Sequence, residues 1–244
     1  MPEAWFLKTE PESEWVTISD LMSVLMMIFL FIAVSYMHNV QQYMQQLREN
    51  QFNIKKVAVA YQELQTDLYL ELWEEFKHDL ENWQAVIQKE TLTIRFEEPD
   101  VLFNVGSSEI TNRFRIILDD FFPRYIRIIS SEKYCNNIEE IRIEGHTSSE
   151  WNGETCDMSA YFKNMRLSQN RTHSVLAHCL GLLQKPDTLA WSRQHLTANG
   201  LSSSHLIENE NGLEDKDKSR RVEFRTKTNA EKKVVEIIER LEKI

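Results

Sequence analysis

The sequence predicts an α+β protein with a single apolar N-terminal helix long enough to cross a membrane, a helical stalk, and a mixed domain. Three observations carry this. Residues 16–37 form an apolar run with one charge, Asp20. Residues 38–90 contain neither Pro nor Gly and carry large apolar side chains at helical spacing. Beyond residue 90, short alternating segments take turns with amphipathic ones, the pattern of a compact α/β or α+β domain.

The apolar run lies in "WVTISDLMSVLMMIFLFIAVSYM". About 20 apolar residues cross a hydrocarbon core of ~30 Å, so residues 16–37 suffice. Trp15 and Tyr36 sit at the ends, where aromatic rings favour the headgroup level. Asp20 lies roughly 6 Å inside the start at ~1.5 Å per residue. An ionised carboxylate costs roughly 2.5–3.5 kcal/mol at the centre of a span, and less at that depth. Three readings of Asp20 compete. It is an N-cap or first-turn acid, a role Ser19 shares; or the run is the core of a cleaved signal peptide; or Asp20 is an intramembrane acid that binds and releases an ion. The signal-peptide reading is the weakest. It needs a basic leader, whereas Glu3, Glu10, Glu12 and Glu14 outweigh Lys8, and apolar residues follow the Ala33-Val34-Ser35 candidate cleavage site.

In the stalk, Tyr61, Leu64, Leu68, Leu72, Phe76, Leu80, Trp83 and Ile87 recur at a mean spacing of about 3.7 residues. That period favours straight or slightly right-handed pairing over a heptad coiled coil. The stripe is expected to pack on the following domain or on a second copy of itself.

Residues 91–96, "TLTIRF", read as a strand. A helix is expected from about Ser108, capped by Ser107 or Ser108 and interrupted at Pro123. Residues 138–147 read as a strand, 165–185 as an amphipathic helix ended by Pro186, "HLTANGL" as a short strand, and "SRRVEFRTKT" as a strand with Val222 and Phe224 on one side. Residues 229–244 read as a last helix. The stretches "SSEWNGETCDMSAYFKN" and "ENENGLEDKDK" read as loops, the second as solvated surface.

A net charge of −10 over 244 residues argues against non-specific nucleic-acid binding. There is no P-loop, G-x-G-x-x-G or C-x-x-C, and with 6 glycines a phosphate-cradling loop is not expected. Cys156, Cys179, His173 and His178 show neither metal-ligand spacing nor a recognisable triad, so no metal, cofactor or catalytic activity is expected. His178 reads as helix surface beside a core Cys179. If the domain lies outside the cytoplasm, one disulfide with one thiol left over can form among Cys135, Cys156 and Cys179. Antiparallel packing of strand and helix puts Cys135 nearer Cys179 than Cys156. Three free thiols are the alternative.

Three further pieces come in order: "VLFNVGSSEI" at 101–110, "IRIEGHT…N-x-x-LS-x-x-R" over 141–171, and "SRRVEF" at 219–224. Together they resemble the OmpA/MotB-type peptidoglycan-binding domain over roughly residues 90–228. The resemblance implies a βαβαββ fold that grips the peptide stem of peptidoglycan, including the carboxylates of its diamino acid. Carried over by position, Asn164, Leu167 and Arg171 are groove residues, and His146 and Thr147 stand in the turn that closes the strand. Arg171 has the chemistry for it, since a guanidinium binds a carboxylate bidentately. Two positions depart from the family. Ser148 stands where it has an Asp that meets the ammonium of the diamino acid, with Glu150 or Asp157 as replacements from the loop. Ser219 stands where it has Asn.

At the N-terminus, Trp15, Asp20, Leu21, Met22, Ser23, Met26 and Phe29 resemble the span of MotB-like stator subunits. That family implies an inner-membrane homodimer with a cytoplasmic N-terminus and an exported C-terminal domain. Its Asp is protonated and deprotonated as ions cross beside a ring of MotA-like subunits. The short acidic tail and the "GHTSSEWNG" loop are most similar to stator subunits of the Zorya anti-phage type, which implies a five-membered ZorA-type ring and no nucleic-acid binding by this chain. The resemblance leaves H⁺ and Na⁺ open. The expected organisation is a cytoplasmic tail at 1–15, span at 16–37, stalk at 38–90, domain at 91–228 and terminal helix at 229–244. A flagellar-type stator subunit and a passive wall anchor are the alternatives.

Overall fold

The computed structural model describes residues 12–97, 99–151, 154–155, 158–229, 232, 235 and 239. The chain divides into two compact units, residues 1–56 and 57–244. A helix, α1 (Glu12–Phe76), begins in the first and ends in the second.

In the first unit every side chain described from residue 15 to 49 is exposed, including Met26, Phe29 and Phe31. The most apolar 18-residue window of α1 has a mean hydropathy of 2.3, so this helix is long and apolar enough to cross a membrane. A continuous helix satisfies its backbone polar groups internally, which lipid requires.

In the second unit α1 keeps one face in the core: Leu68, Leu72 and Phe76 are fully buried. The helix stops at Phe76, short of the expected residue 90. A four-residue helix, α2 (Leu80–Trp83), follows, and Gln84 turns left-handed with φ 48°. Strand β1 (Ala85–Gln88) then forms a hairpin with β2 (Thr93–Phe96). Leu80 and Trp83 still point into the core, so the helical spacing persisted in sequence while the backbone changed direction.

A short α3 (Pro99–Leu102) leads to α4 (Asn112–Ile129). The cap of α4 is Thr111, whose hydroxyl accepts from Phe114 N at 3.1 Å, and not Ser107 or Ser108. Pro123 lies inside α4 without ending it. Phe121, Phe122, Tyr125 and Ile126 are buried around it, and their burial offsets the ~3 kcal/mol an internal proline costs.

Then come β3 (Ile138–His146), the hairpin β4 (Glu150–Trp151) and β5 (Glu154–Thr155), and α5 (Met158–Gly181). The segment expected as a loop thus carries a small hairpin and the first turns of α5. Pro186 opens α6 (Pro186–His195) at its first turn and does not end α5, which already stops at Gly181. The chain closes with β6 (Leu196–Ser202), α7 (Lys216–Ser219) and β7 (Val222–Thr228). Nearly all of the expected C-terminal helix, 229–244, lies outside the described residues.

The sheet order is β1-β2-β7-β3-β6, with β3 and β6 parallel and the other neighbours antiparallel. Leaving out the added edge strand β1 and the short α3, α6, α7 and β4–β5, the order β2-α4-β3-α5-β6-β7 is the βαβαββ expected. Phe96, Phe121 and Phe224 meet at centroid distances of 5.0 to 6.1 Å at the centre of the core, and Phe76 joins Phe121 at 5.3 Å. Arg124 reinforces this junction. It donates to Glu75 Oε1 at 2.8 Å and Asp79 at 2.9 Å, with its guanidinium 4.9 Å above the Phe76 ring.

Helix α5 packs close against β3 and β6. Two glycines make that approach possible. A Cβ on Gly200 would lie 2.3 Å from Gln169 N, and one on Gly145 would lie 3.0 Å from Ser168 O.

Candidate functional site

Asn164, Leu167 and Arg171 are spaced i, i+3 and i+7, so they share one face of α5. Close packing of α5 on Gly145 and Gly200 carries that face to the end of β3, where Thr147 and Ser148 leave the sheet. A pocket of about 510 Å³ lies there, and its lining includes Thr147, Ser148, Asn164, Leu167 and Arg171. Four of the five groove residues expected from sequence are therefore together.

Their roles differ. Asn164 is buried, and its amide donates to Ser148 O and Glu150 O, both at 3.2 Å. It shapes the pocket wall. Arg171 donates from Nε to Ser107 O at 2.9 Å and from Nη2 to Asn104 O at 3.3 Å, with its guanidinium 4.8 Å above the Phe103 ring. The turn between those two carbonyls holds Gly106 at φ +70°. Burial, and then the nearby charge of Arg220, lower the Arg171 pKa to about 10. It remains a cation at neutral pH and has no carboxylate partner among the described residues. This is the electrostatic signature of a site for an anion.

The far wall of the pocket comes partly from the stretch expected to be plain surface, with Lys216 and Asp217, and partly from Arg220 of "SRRVEF". Lys216 pairs with Glu150, and Arg220 with Asp217. Glu214 accepts from Ser149 N at 2.9 Å and Ser149 Oγ at 2.5 Å, which ties the two loops together. Ser219, fully buried, accepts from Ile207 N at 2.9 Å. Sequence reasoning missed Lys216 and Asp217 because a charged run carries no periodic signal, while Arg220 stands in the "SRRVEF" piece without a role assigned to it. Trp151 and Phe103 complete the apolar part of the lining. Asp157 lies outside the described residues.

His146 is absent from the lining of this pocket and instead borders a small adjoining cavity with Phe103, Arg171 and Arg220. It is buried, with Nε2 3.8 Å from Glu223 Oε2 and 4.0 Å from Glu144 Oε2, and neither ring nitrogen has a hydrogen-bond partner. Burial first, then Arg221, depress its pKa to about 3, so the ring is neutral. Burial raises the Glu144 carboxyl. Glu223 is held below the usual range, although burial opposes this, because Arg221 donates to it at 2.6 Å and Arg95 at 2.8 Å. Glu144, His146 and Glu223 are close enough to share a cation. However, Arg95, Arg142, Arg221 and Arg225 line the same cavity, and a divalent ion there would meet their repulsion. The cluster fits a neutral imidazole set between acids.

Cys135 and Cys179 are free thiols in this structure. Cys179 is wholly buried in the apolar core, where burial raises its pKa, while Cys135 sits in the turn before β3. Cys156 lies outside the described residues. His178 bonds Asp119 at 2.7 Å beside the buried Cys179, as the helix pattern suggests.

Asp20 is exposed on α1, with helix on both sides of it from Glu12 onward. That excludes the N-cap and first-turn readings, because residues already in helical conformation precede it by two turns. Ser23 Oγ bonds Ser19 O at 2.9 Å, as a helix-interior serine does.

The chain thus combines a helix long and apolar enough to cross a membrane with an α+β domain that carries a cationic pocket. No protein-family model matches the chain. The Zorya protein ZorB of Escherichia coli is 45% identical over 232 residues, covering 95% of each chain. This chain belongs to the ZorB family. Among solved structures, a MotB-like protein from Desulfovibrio vulgaris aligns with 68% of this chain and 95% of its own, at 21% identity and TM-score 0.47. The cell wall anchor of the T6SS from Pseudomonas aeruginosa aligns with 64% and 96%, at 16% identity and TM-score 0.44.

Proposed function

We propose that this chain is the wall-anchoring subunit of an ion-driven, proton-powered motor in the bacterial inner membrane that serves anti-phage defence. Two copies pair, each with its N-terminus in the cytoplasm and its C-terminal domain in the periplasm. A five-membered MotA-like (ZorA-type) ring surrounds their spans, and the subunit itself is not an enzyme. The pocket around Arg171 grips a peptidoglycan carboxylate and holds the subunit still while the ring moves.

The observation that carries this reading is Asp20: a carboxylate in the interior of a helix whose neighbours are apolar and exposed. An acid there is costly in lipid and cannot be a cap, so its use is chemical. A charge moving through the membrane potential gains ~2.3 kcal/mol per 100 mV, the energy a motor draws on.

The test is Asp20→Asn in the intact operon, scored by phage plating, with the membrane level followed by blot. Asn keeps the shape but cannot titrate. Loss of protection at an unchanged protein level is expected. Persistence of protection refutes the ion-carrying role and leaves a passive anchor.

A further inference from the structure

Among the described residues around the Arg171 pocket, cations outnumber carboxylates, and two buried polar groups lack a partner. Arg171 donates to the carbonyls of Ser107 and Asn104 and has no carboxylate partner among the described residues. The Arg220 Nε and the Thr147 hydroxyl are buried without a partner, and Thr147 is only 3% exposed. All three residues line the pocket. The two described carboxylates there are already engaged, Glu150 by Lys216 and Asp217 by Arg220. Position 148, where the resemblance leads one to expect an acid, is a buried serine.

A ligand entering this pocket therefore meets an excess of positive charge and free donors. A carboxylate answers that charge. An ammonium meets no unpaired acid among the described residues, and the unpaired Arg171 repels its charge.

We propose that this pocket recognises a peptidoglycan stem by carboxylate alone, does not require a free side-chain amine, and that Ser148 sets this selectivity. The inference rests on the peptidoglycan reading of the site. Acylation of that amine is what cross-linking does to a stem, so the pocket grips cross-linked and uncross-linked wall alike. A fixed anchor gains from that, because the load-bearing wall is the cross-linked part.

The test uses the full chain in lipid nanodiscs and two stem peptides with identical carboxylates, one with a free side-chain amine and one with that amine acetylated. Dissociation constants within threefold of each other are expected for wild type, and both rise at least tenfold in Arg171→Ala. Ser148→Asp is expected to create a preference of at least fivefold for the free amine. A wild-type loss of more than threefold on acetylation overturns the proposal; it means an acid outside the described residues meets the amine. An unchanged ratio in a folded Ser148→Asp variant overturns the role of Ser148. Unaltered binding in Arg171→Ala removes the pocket as the site. If neither peptide binds wild type, the peptidoglycan reading falls, and this inference with it. The wild-type comparison stands whether or not the variants fold.

Discussion

Acidification is expected to loosen the C-terminal unit through His146. The folded ring holds its pKa near 3, against 6.5 for the ordinary imidazole, because burial and Arg221 disfavour its charge. The unfolded chain takes up that proton near pH 6.5 and the folded chain does not until about pH 3. The stability is therefore fully present above pH 6.5 and is lost as pH falls toward 3. Between pH 7 and pH 5 the unfolded imidazole goes from mostly neutral to almost wholly protonated, a loss of about 2 kcal/mol. For a unit of this size that lowers Tm by roughly 4–8 °C. Two neighbours also titrate on the acid side. Glu223, lowered, adds to the loss as pH falls below the carboxylate range, while Glu144, raised, opposes it. The His146 share is isolated by subtraction. Thermal melts of wild type and His146→Gln at pH 7 and pH 5 should differ in their acid-induced shift by about 2 kcal/mol, whatever the variant costs at neutral pH. Parallel curves refute the idea that a buried neutral imidazole sits between those acids.

Two further substitutions test the packing that places the pocket. Phe76→Ala removes a fully buried ring against Trp83 and Phe121 and under Arg124, and should cost about 3–5 kcal/mol in denaturant melts; a loss below about 1 kcal/mol means the end of α1 is not part of the core. Gly200→Ala sets a methyl against Gln169 N, so α5 must move and stability should fall by about 1–3 kcal/mol. Gly181→Ala, with nothing within 4 Å, should stay within about 0.5 kcal/mol or stabilise, and equal losses in the two glycine variants refute the close-approach argument.

Much of the architecture is written in local pattern. Residues 16–37 read as membrane-length because length and polarity alone decide that, and a helix needs no distant partner to satisfy its backbone. The strands at 138–146 and 222–228 and the face of α5 bearing Asn164, Leu167 and Arg171 follow from periods of two and 3.6 residues. The end of the stalk was not legible. Leu80 and Trp83 keep the helical spacing, and neither Gly nor Pro marks the reversal at Gln84, which the core fixes by burying Trp83 and pairing β1 with β2. Pro123 misled in the opposite direction, since buried neighbours outweigh its missing donor.

The residues themselves determined which side chains are available to the site: the acid in the apolar run, the arginine on α5, and the serine at 148. Only the tertiary structure decided what each one faces. It buried His146 between Glu144 and Glu223, with Arg221 beside them. It drew Lys216 and Asp217 from a polar run to the pocket wall beside Arg220, and left Arg171 charged with no acid partner among the described residues. Those outcomes depend on contacts between residues far apart in the chain, where burial and neighbouring charge act through space and leave no trace in sequence spacing.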